Sequence, residues 1–239
     1  MFITFDNDRA SDSAFIERVW CCHSERAGTF QSVASSHWEM VITRLHGQSI
    51  VTLRGPETRS TQVLCPADGE WLAIRFKAGT FMPQVPVHRL MNNLGVNLPQ
   101  VSPRAFLLDG GRWEFPTFEN AETFVQRLAN RGLVARDPEV AAALSGEPTA
   151  CSTRSAQRRF LQVVGMTRST LRQIERARFA VNLLREGVPI AETVWQCGYY
   201  DHAHLTRSLR QWIGMTPTRI NDADTQLSFL YKTEGLALR

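Results

Sequence analysis

The chain has 239 residues, of which 43% are hydrophobic and 21% are charged, and its formal net charge is +4. This length and composition predict a sizeable core in one large domain or two small ones. The first fifteen residues lack the basic leader and apolar run of a signal peptide, and no stretch reaches the roughly 18 apolar residues that span a bilayer. We therefore expect a soluble, cytoplasmic protein with no membrane partner.

The first half of the chain is predicted to be mainly β-structure. Residues 37–45 and 49–53 are apolar runs on either side of a turn signal at residues 46–48, which is typical of a β-hairpin. Residues 62–65 and 70–77 predict two further strands, because Leu72, Ile74 and Phe76 in the second alternate with polar or small neighbours. Together these strands predict a small sandwich or a cupin-like barrel.

The region that follows changes character twice. Residues 79–105 are rich in Pro, Gly and Asn and predict loops with one short helical turn. Residues 120–132 then predict a helix, capped by Asn120 and ended by Gly132, with one apolar face. That face consists of Ala121, Phe124, Val125 and Leu128.

The remainder of the chain predicts helices only. Asp137-Pro138 starts a short helix that stops before Gly146, and further helices are predicted at residues 152–164, 169–186, 189–197 and 201–213. The predicted fold class is therefore α+β, with a β-rich sensing or dimerisation domain at residues 1–137 and an all-α domain at residues 138–239.

Positive charge is concentrated in this helical half. Residues 151–220 contain 11 Arg, no Lys and 4 acidic residues, whereas the rest of the chain has 16 basic and 19 acidic residues. Clustered arginines in a helical region are suited to phosphate groups, although arginines also occur on ordinary solvated helix faces.

An internal duplication organises the helical half. The sequences RRFLQVVGMT at residues 158–167 and RSLRQWIGMT at residues 207–216 are similar at a constant offset of 49 residues. The same offset pairs Ser152 with Asp201, and both residue types are good helix N-caps. Each copy follows a shorter helical segment, so the pattern predicts two helix-turn-helix units.

The outward faces of the duplicated helices carry the candidate DNA-binding residues. Arg and Gln side chains form paired hydrogen bonds with guanine and adenine edges in the major groove. In the second copy the inward stripe is Leu205, Leu209 and Trp212. The outward candidates are Arg154, Gln157 and Arg158 in the first copy, and His202, Ala203, Thr206, Arg207 and Arg210 in the second.

His202 and His204 do not form a predicted metal site. Two residues apart on a helix, they point roughly 200° from each other. His204 is interpreted as a packing or phosphate-contacting residue, and His202 as either a base contact or a plain N-terminal residue.

The segment GYYDHAHLTRSLRQWIGMTP resembles the signature of the AraC/XylS family of bacterial transcription regulators. Matching residues are Gly198, Tyr199, Asp201, Leu205, Arg207, Gly214, Thr216 and Pro217. The resemblance, which covers residues 138–220, implies two helix-turn-helix units joined by a long helix at residues 169–186. It implies a regulator that binds double-stranded DNA without catalysis or a cofactor. Its N-terminal domain would sense a small-molecule effector or form a homodimer, and would alter contact with DNA or with RNA polymerase.

Two enzyme-like alternatives and one structural alternative stay open for the β-rich half. A cupin-like metal site is disfavoured, because His23, His37, His46 and His88 are scattered without an H-x-H pattern. Cysteine chemistry is a second alternative, although the five cysteines lack CxxC spacing and are expected to be reduced thiols. A third interpretation makes this half a dimerisation platform that uses the apolar face of residues 120–130.

Overall fold

The computed structural model describes residues 2–93, 95–147, 152–220 and 227. The N-terminal half contains β1 (Ile3–Ala10), β2 (Ile16–Ser24), β3 (Gly28–Ser32), β4 (Glu39–Leu45), β5 (Gln48–Arg54), β6 (Thr61–Cys65), β7 (Glu70–Phe76), β8 (Thr80–Phe81), α1 (Val87–Leu90), β9 (Val96–Leu98), β10 (Gln100–Ser102), β11 (Ala105–Leu108), β12 (Gly111–Glu114), α2 (Ala121–Asn130) and β13 (Ala135–Arg136). The C-terminal half contains α3 (Pro138–Ser145), α4 (Thr153–Val164), α5 (Arg168–Arg185), α6 (Ile190–Gln196), α7 (His202–Trp212) and a 3-10 turn, Pro217–Arg219. The predicted fold class, a β-rich region followed by an all-helical one, is confirmed.

A six-stranded antiparallel sheet in the order β1-β2-β7-β4-β5-β9 forms the centre of the β-rich region. One face of this sheet packs against α2 and the small sheet β10-β11-β12, and its buried residues include Ile42, Ile74 and Phe76. The other face carries Trp20 and Trp71 and is partly covered by the ribbon β3-β6. The alternation predicted for residues 70–77 is therefore observed in β7, whose Leu72, Ile74 and Phe76 face the core beside α2 while Trp71 lies on the opposite face of the sheet.

The predicted hairpin is confirmed, and its turn explains its register. Leu45 pairs with Gln48, and the two turn residues His46 and Gly47 have φ values of 49° and 77°. Positive φ at both central residues is the geometry of the type I′ turn, whose twist matches that of the flanking strands.

Several strands were not predicted from the sequence. Residues 79–105 were predicted to be loops apart from one helical turn, which α1 confirms, but β8, β9 and β10 also lie there, so that prediction was wrong in part. These strands have two or three residues, and β9 exists because Val96, Asn97 and Leu98 pair with β5. β1 and β2 likewise depend on pairing with each other and with β7.

The predicted helix caps are formed in the second half of the chain, whereas one predicted cap in the first half is not. The Asp137 carboxylate accepts hydrogen bonds from the backbone N–H groups of Glu139 and Val140, at 3.0 and 3.1 Å. Asn120 precedes α2 but its side chain caps nothing, because its Oδ1 accepts from the N–H of Thr117 instead. The side-chain cap predicted for Asn120 was therefore wrong, although the helix begins where expected.

The apolar stripe of α2 is used within its own region. Ala121, Phe124, Val125 and Leu128 are all buried in the cluster beneath the six-stranded sheet. Arg9 of β1 forms an ion pair with Glu122 and thereby ties this helix to the sheet edge. A dimer interface built on that stripe would require α2 to leave its core.

The two regions of the chain pack against each other through backbone and side-chain contacts. The N–H of Ala34 donates to the carbonyl oxygen of Trp212 at 2.8 Å, and both Val33 and Ala34 are buried among the helices. Asp137 also accepts from Nε of Arg159 at 2.5 Å. The candidate DNA-binding helices are therefore held against the β-rich region.

Candidate nucleic-acid interface

The first candidate recognition helix is α4, and its ends are fixed locally. Ser152 caps it by accepting a hydrogen bond from the N–H of Ser155 at 3.4 Å, and Gly165 ends it at φ 80°, where a residue with a β-carbon is strained. Phe160, Val163 and Val164 are buried on its inner face. The predicted DNA-binding residues Arg154, Gln157 and Arg158 are all exposed on the opposite face.

The second candidate recognition helix, α7, repeats this construction. Asp201 accepts from the N–H of His204 at 2.6 Å, and Gly214 ends the helix at φ 84°. The predicted inward stripe, Leu205, Leu209 and Trp212, is buried. His202, Ala203, Arg207 and Arg210 are exposed.

Thr206 differs from the other predicted contacts on α7. It is half-buried, and its Oγ1 is shielded from solvent without a hydrogen-bond partner among the described residues. An unpaired buried hydroxyl costs roughly 1–3 kcal/mol.

His204 has a structural position that explains its place beside the recognition face. Its Nδ1 accepts a hydrogen bond from the N–H of Tyr200 at 3.3 Å, and its ring packs edge-on against Tyr199 with 5.1 Å between centroids. His202 points into solvent one residue into the helix. The two histidines thus have separate environments, in agreement with the predicted 200° separation.

The long helix α5 connects the two units and supplies much of their common core. Ile174, Ala177, Val181 and Leu184 are buried along one side of it. Arg176 of the same helix lies over the ring of Tyr199, with 4.5 Å from Cζ to the centroid, and the Tyr199 hydroxyl lies 2.9 Å from Oγ of Ser208. These contacts tie α5 to the turn that positions α7.

The arginines on the exposed faces are available for an external anion. Among the described residues, no carboxylate pairs with Arg154, Arg158 or Arg207, whereas neighbouring Arg159 is engaged by Asp137. Helix N-termini carry partial positive charge that adds to the attraction for phosphate. The two faces can therefore hold phosphates by charge and base edges by hydrogen bonds.

A half-buried polar cluster lies between the six-stranded sheet and α5, and sequence reasoning missed it. We define the polar cluster as Glu17, His37, Glu39, Arg75, Glu175 and Arg178. Arg75 donates to Glu39 at 2.8 and 2.9 Å, and Nη1 of Arg178, which is 5% exposed, lies 3.6 Å from Oε1 of Glu175. Nε2 of His37 lies 3.1 Å from Oε2 of Glu17.

The protonation state of His37 is set mainly by burial. Burial, together with the charges of Arg75 and Arg178, lowers the pKa of His37 to about 3, against the opposing effect of Glu175 and Glu39. His37 is therefore neutral at pH 7. His37, the first residue of the run predicted at residues 37–45, lies two residues before β4 and lines a small space together with Arg178 of α5.

An apolar cavity of about 280 Å³ lies between the six-stranded sheet and the β3-β6 ribbon. Its walls include Phe5, Trp20, Phe30 and Trp71, and Leu227 also lines it. The cavity adjoins the polar cluster, because Glu39 and Arg54 line both the cavity and the small space beside Arg178. Trp38 and Phe76 do not line this cavity, because their rings are stacked in the core on the opposite face of the six-stranded sheet.

Three of the four cysteines that the structure describes are buried. Cys21, Cys22, Cys65 and Cys197 are free thiols, and burial raises the pKa of Cys22 to about 12 and that of Cys197 to about 11. Within the described ranges, no three His, Cys, Asp or Glu side chains are grouped as metal ligands. Cys151 and residues 148–150 lie outside the described residues.

Comparison with known proteins identifies one part of the chain. Residues 147–223 match the family model described as a helix-turn-helix domain, which is the AraC-type DNA-binding domain. Neither a search of curated proteins nor a search of solved structures finds a match. None of the helices in the described part of the chain is both long and apolar enough to cross a membrane. The chain thus carries an AraC-type helix-turn-helix DNA-binding domain at residues 147–223 and is a transcription regulator.

Proposed function

We propose that the protein regulates transcription by placing α4 and α7 in adjacent major-groove segments of one operator. The residues proposed to contact DNA are Arg154, Gln157, Arg158, His202, Ala203, Thr206, Arg207 and Arg210. We propose further that residues 1–137 and 138–239 act as two domains, the first as the sensing domain and the second as the reading domain.

The observation that carries this proposal is the equivalence of the two helices. α4 and α7 each have a side-chain N-cap, a buried stripe and a glycine at positive φ, and each leaves its polar face exposed. Because both faces stay open while the β-rich region is docked, the described arrangement is compatible with DNA. Reading two segments doubles the number of base contacts available for discrimination.

Selection of bound genomic fragments by the purified full chain tests this proposal. Wild type is expected to recover a motif with two segments. Arg158→Ala is expected to reduce the base preference in one segment and Arg207→Ala in the other. Each variant is expected to lose about 1–3 kcal/mol of binding free energy at the specific site. Arg172→Ala is the matched control, because Arg172 is an exposed arginine of α5 outside both faces.

The outcomes separate base reading from phosphate binding. Loss of one segment per variant supports two reading helices. A motif that keeps its sequence while both variants bind uniformly more weakly would reduce Arg158 and Arg207 to phosphate contacts. Random, salt-sensitive fragments from wild type would contradict sequence-specific regulation.

The apolar cavity supports an effector-sensing role for the β-rich domain. Its aromatic walls suit an apolar or aromatic molecule, and its edge residues Glu39 and Arg54 suit one polar group on that molecule. Since the same two residues border the polar cluster, a ligand that contacts them would act on Arg178 of α5. This route connects the cavity to the helix that joins the two reading units.

Cavity filling tests the sensing role without knowledge of the effector. Ala73 is 2% exposed and lines the cavity, so Ala73→Leu reduces its volume. The apolar fluorescent dye anilinonaphthalene sulfonate is expected to bind wild type and to bind Ala73→Leu several-fold more weakly, with DNA affinity altered in the variant. Equal dye binding, with unchanged DNA affinity, would contradict a sensing cavity.

A further inference from the structure

The β-rich region contacts the two helix-turn-helix units at equivalent positions, the C-terminal ends of α4 and α7. A β-carbon built on Gly165, at the end of α4, would lie 2.6 Å from Sδ of Met91 and 2.8 Å from Cγ1 of Val87. A β-carbon built on Gly214, at the end of α7, would lie 2.3 Å from Oγ of Ser60. The approach at Gly165 places α1 directly beside α4.

A groove of about 800 Å³ runs between α4 and the segment that contains α1. We call residues 80–92 the flanking segment. One wall of the groove is formed by Ser155, Arg158 and Gln162 of α4, and the other includes Pro83 and His88 of the flanking segment. At 100° per residue, these three α4 residues lie at the border of the face that carries Arg154. Asp137 also lines the groove, where its carboxylate is paired with Arg159.

The position of this border defines what the flanking segment would meet on DNA. The major groove is about 12 Å wide, and a helix with its side chains is about 10–12 Å across. When α4 lies in the groove, its flanks face the sugar-phosphate backbones on either side. The flanking segment therefore stands where one backbone passes.

The charge of the flanking segment suits a phosphate backbone. No acidic residue occurs between Glu70 and Asp109, although the chain outside residues 151–220 has more acidic than basic residues. His88 lines the groove, and Arg89 follows it on the exposed side of α1 without lining the groove, while Val87 and Leu90 are buried. Among the described residues, no carboxylate pairs with Arg89, so its guanidinium is available to an external anion.

We propose that the flanking segment is a second DNA-binding surface, in which Arg89 and His88 bind phosphates of the backbone that borders the first reading helix. This inference rests on the proposed function, because it places α4 in the major groove. It assigns to the β-rich domain a direct, sequence-independent contact with DNA. Undocking that domain would then remove phosphate contacts from the first half-site.

The salt dependence of binding tests this surface. Affinities of the full chain for its selected operator and for unrelated duplex DNA are measured between 50 and 200 mM salt, for wild type, Arg89→Ala, His88→Ala and Arg104→Ala. Arg104 is the control, because it is an exposed arginine in the turn between β10 and β11, outside the flanking segment. Arg89→Ala is expected to reduce the slope of log affinity against log salt by about 0.9, the amount that corresponds to one phosphate.

The expected pattern is specific to a phosphate contact. A slope lower by about 0.9 means that the advantage of wild type over Arg89→Ala shrinks about 3.5-fold between the two salt concentrations. The weakening is expected on operator and unrelated DNA alike, with the selected motif unchanged, and hydroxyl-radical protection should shorten on one strand beside the first segment. Arg104→Ala should match wild type.

Two results would overturn the inference. An unchanged slope and affinity in Arg89→Ala would show that the flanking segment does not meet DNA. Tighter binding by Arg89→Ala or His88→Ala would show that the segment obstructs the groove. Failure of the proposed function is distinguishable, because it appears in wild type as the absence of a two-segment motif, whereas this measurement also uses unrelated DNA.

Discussion

Arg178 is expected to couple the β-rich region to the helical region, and its removal should destabilise the protein. Arg178→Met keeps most of the aliphatic volume but removes the charge that faces Glu175 across 3.6 Å. Burial lowers the pKa of Arg178, yet an arginine remains protonated at pH 7, so the native cluster contains a buried cation. Its neighbouring carboxylates, which are half-buried, would lose that cation.

The expected magnitude follows from this burial. Arg178 is 5% exposed but the Glu175 side chain is 28% exposed, so the charge left behind is partly solvated and the expected cost is about 1–3 kcal/mol, below the roughly 3–5 kcal/mol of a fully buried pair. Replacing both partners, in Arg178→Met with Glu175→Gln, should recover about 0.5–3 kcal/mol of that loss. Arg172→Met, at an exposed position of the same helix, should change stability by less than about 0.5 kcal/mol.

Urea unfolding followed by tryptophan fluorescence measures these differences, and hydrogen exchange locates them. Protection of the Ala34 N–H, which donates to Trp212 across the interface between the two regions, should fall in Arg178→Met. A destabilisation below about 1 kcal/mol would refute the idea that the Arg178 cation stabilises the interface between the two regions, and additive effects in the double variant would refute its coupling to Glu175 within α5.

Three further outcomes are expected from the structure. The pKa of His37 is about 3 in the folded state, so as pH falls below about 6.5 His37 takes up a proton in the unfolded chain but not in the folded protein. The free energy of unfolding of wild type should therefore fall by about 2 kcal/mol between pH 7 and 5 relative to that of His37→Gln. Parallel curves of stability against pH for the two proteins would contradict this. With a pKa of about 12 for Cys22 and about 11 for Cys197, iodoacetamide at pH 8 should label them in unfolded but not in native protein, as read by mass spectrometry. Phe160→Ala should lower the free energy of unfolding by about 3–5 kcal/mol, because Phe160 is 2% exposed. Leu161 is 50% exposed, so Leu161→Ala should lower it by less than about 1 kcal/mol. Similar losses in the two variants would refute the described packing of α4.

The reading helices were predictable because their signals are local. Ser152 and Asp201 cap their helices as predicted, and Leu205 and Leu209 are buried as the helical period indicates. Helical contacts join residues three or four apart, so a short stretch of sequence contains both the cap and the stripe. The exposed positions of Arg158 and Arg207 follow from the same period.

The β-rich region was predictable only in part. The β4-β5 hairpin has a local turn that specifies its register, whereas β9 depends on β5, more than forty residues away in the chain. A strand of three residues has no periodicity of its own to detect. Its existence is decided by the edge that it pairs with.

The sequence by itself determined the tandem helix-turn-helix units, their caps, their exposed basic faces and the β-then-α order of the chain. Tertiary structure alone decided what lies between the halves: the polar cluster around Arg178, the cavity beside Trp71 and the flanking segment beside α4. Glu17, His37 and Arg178 are far apart in sequence and carry no shared spacing. Their common environment arises from sheet pairing and helix docking, which bring together residues that no local pattern relates.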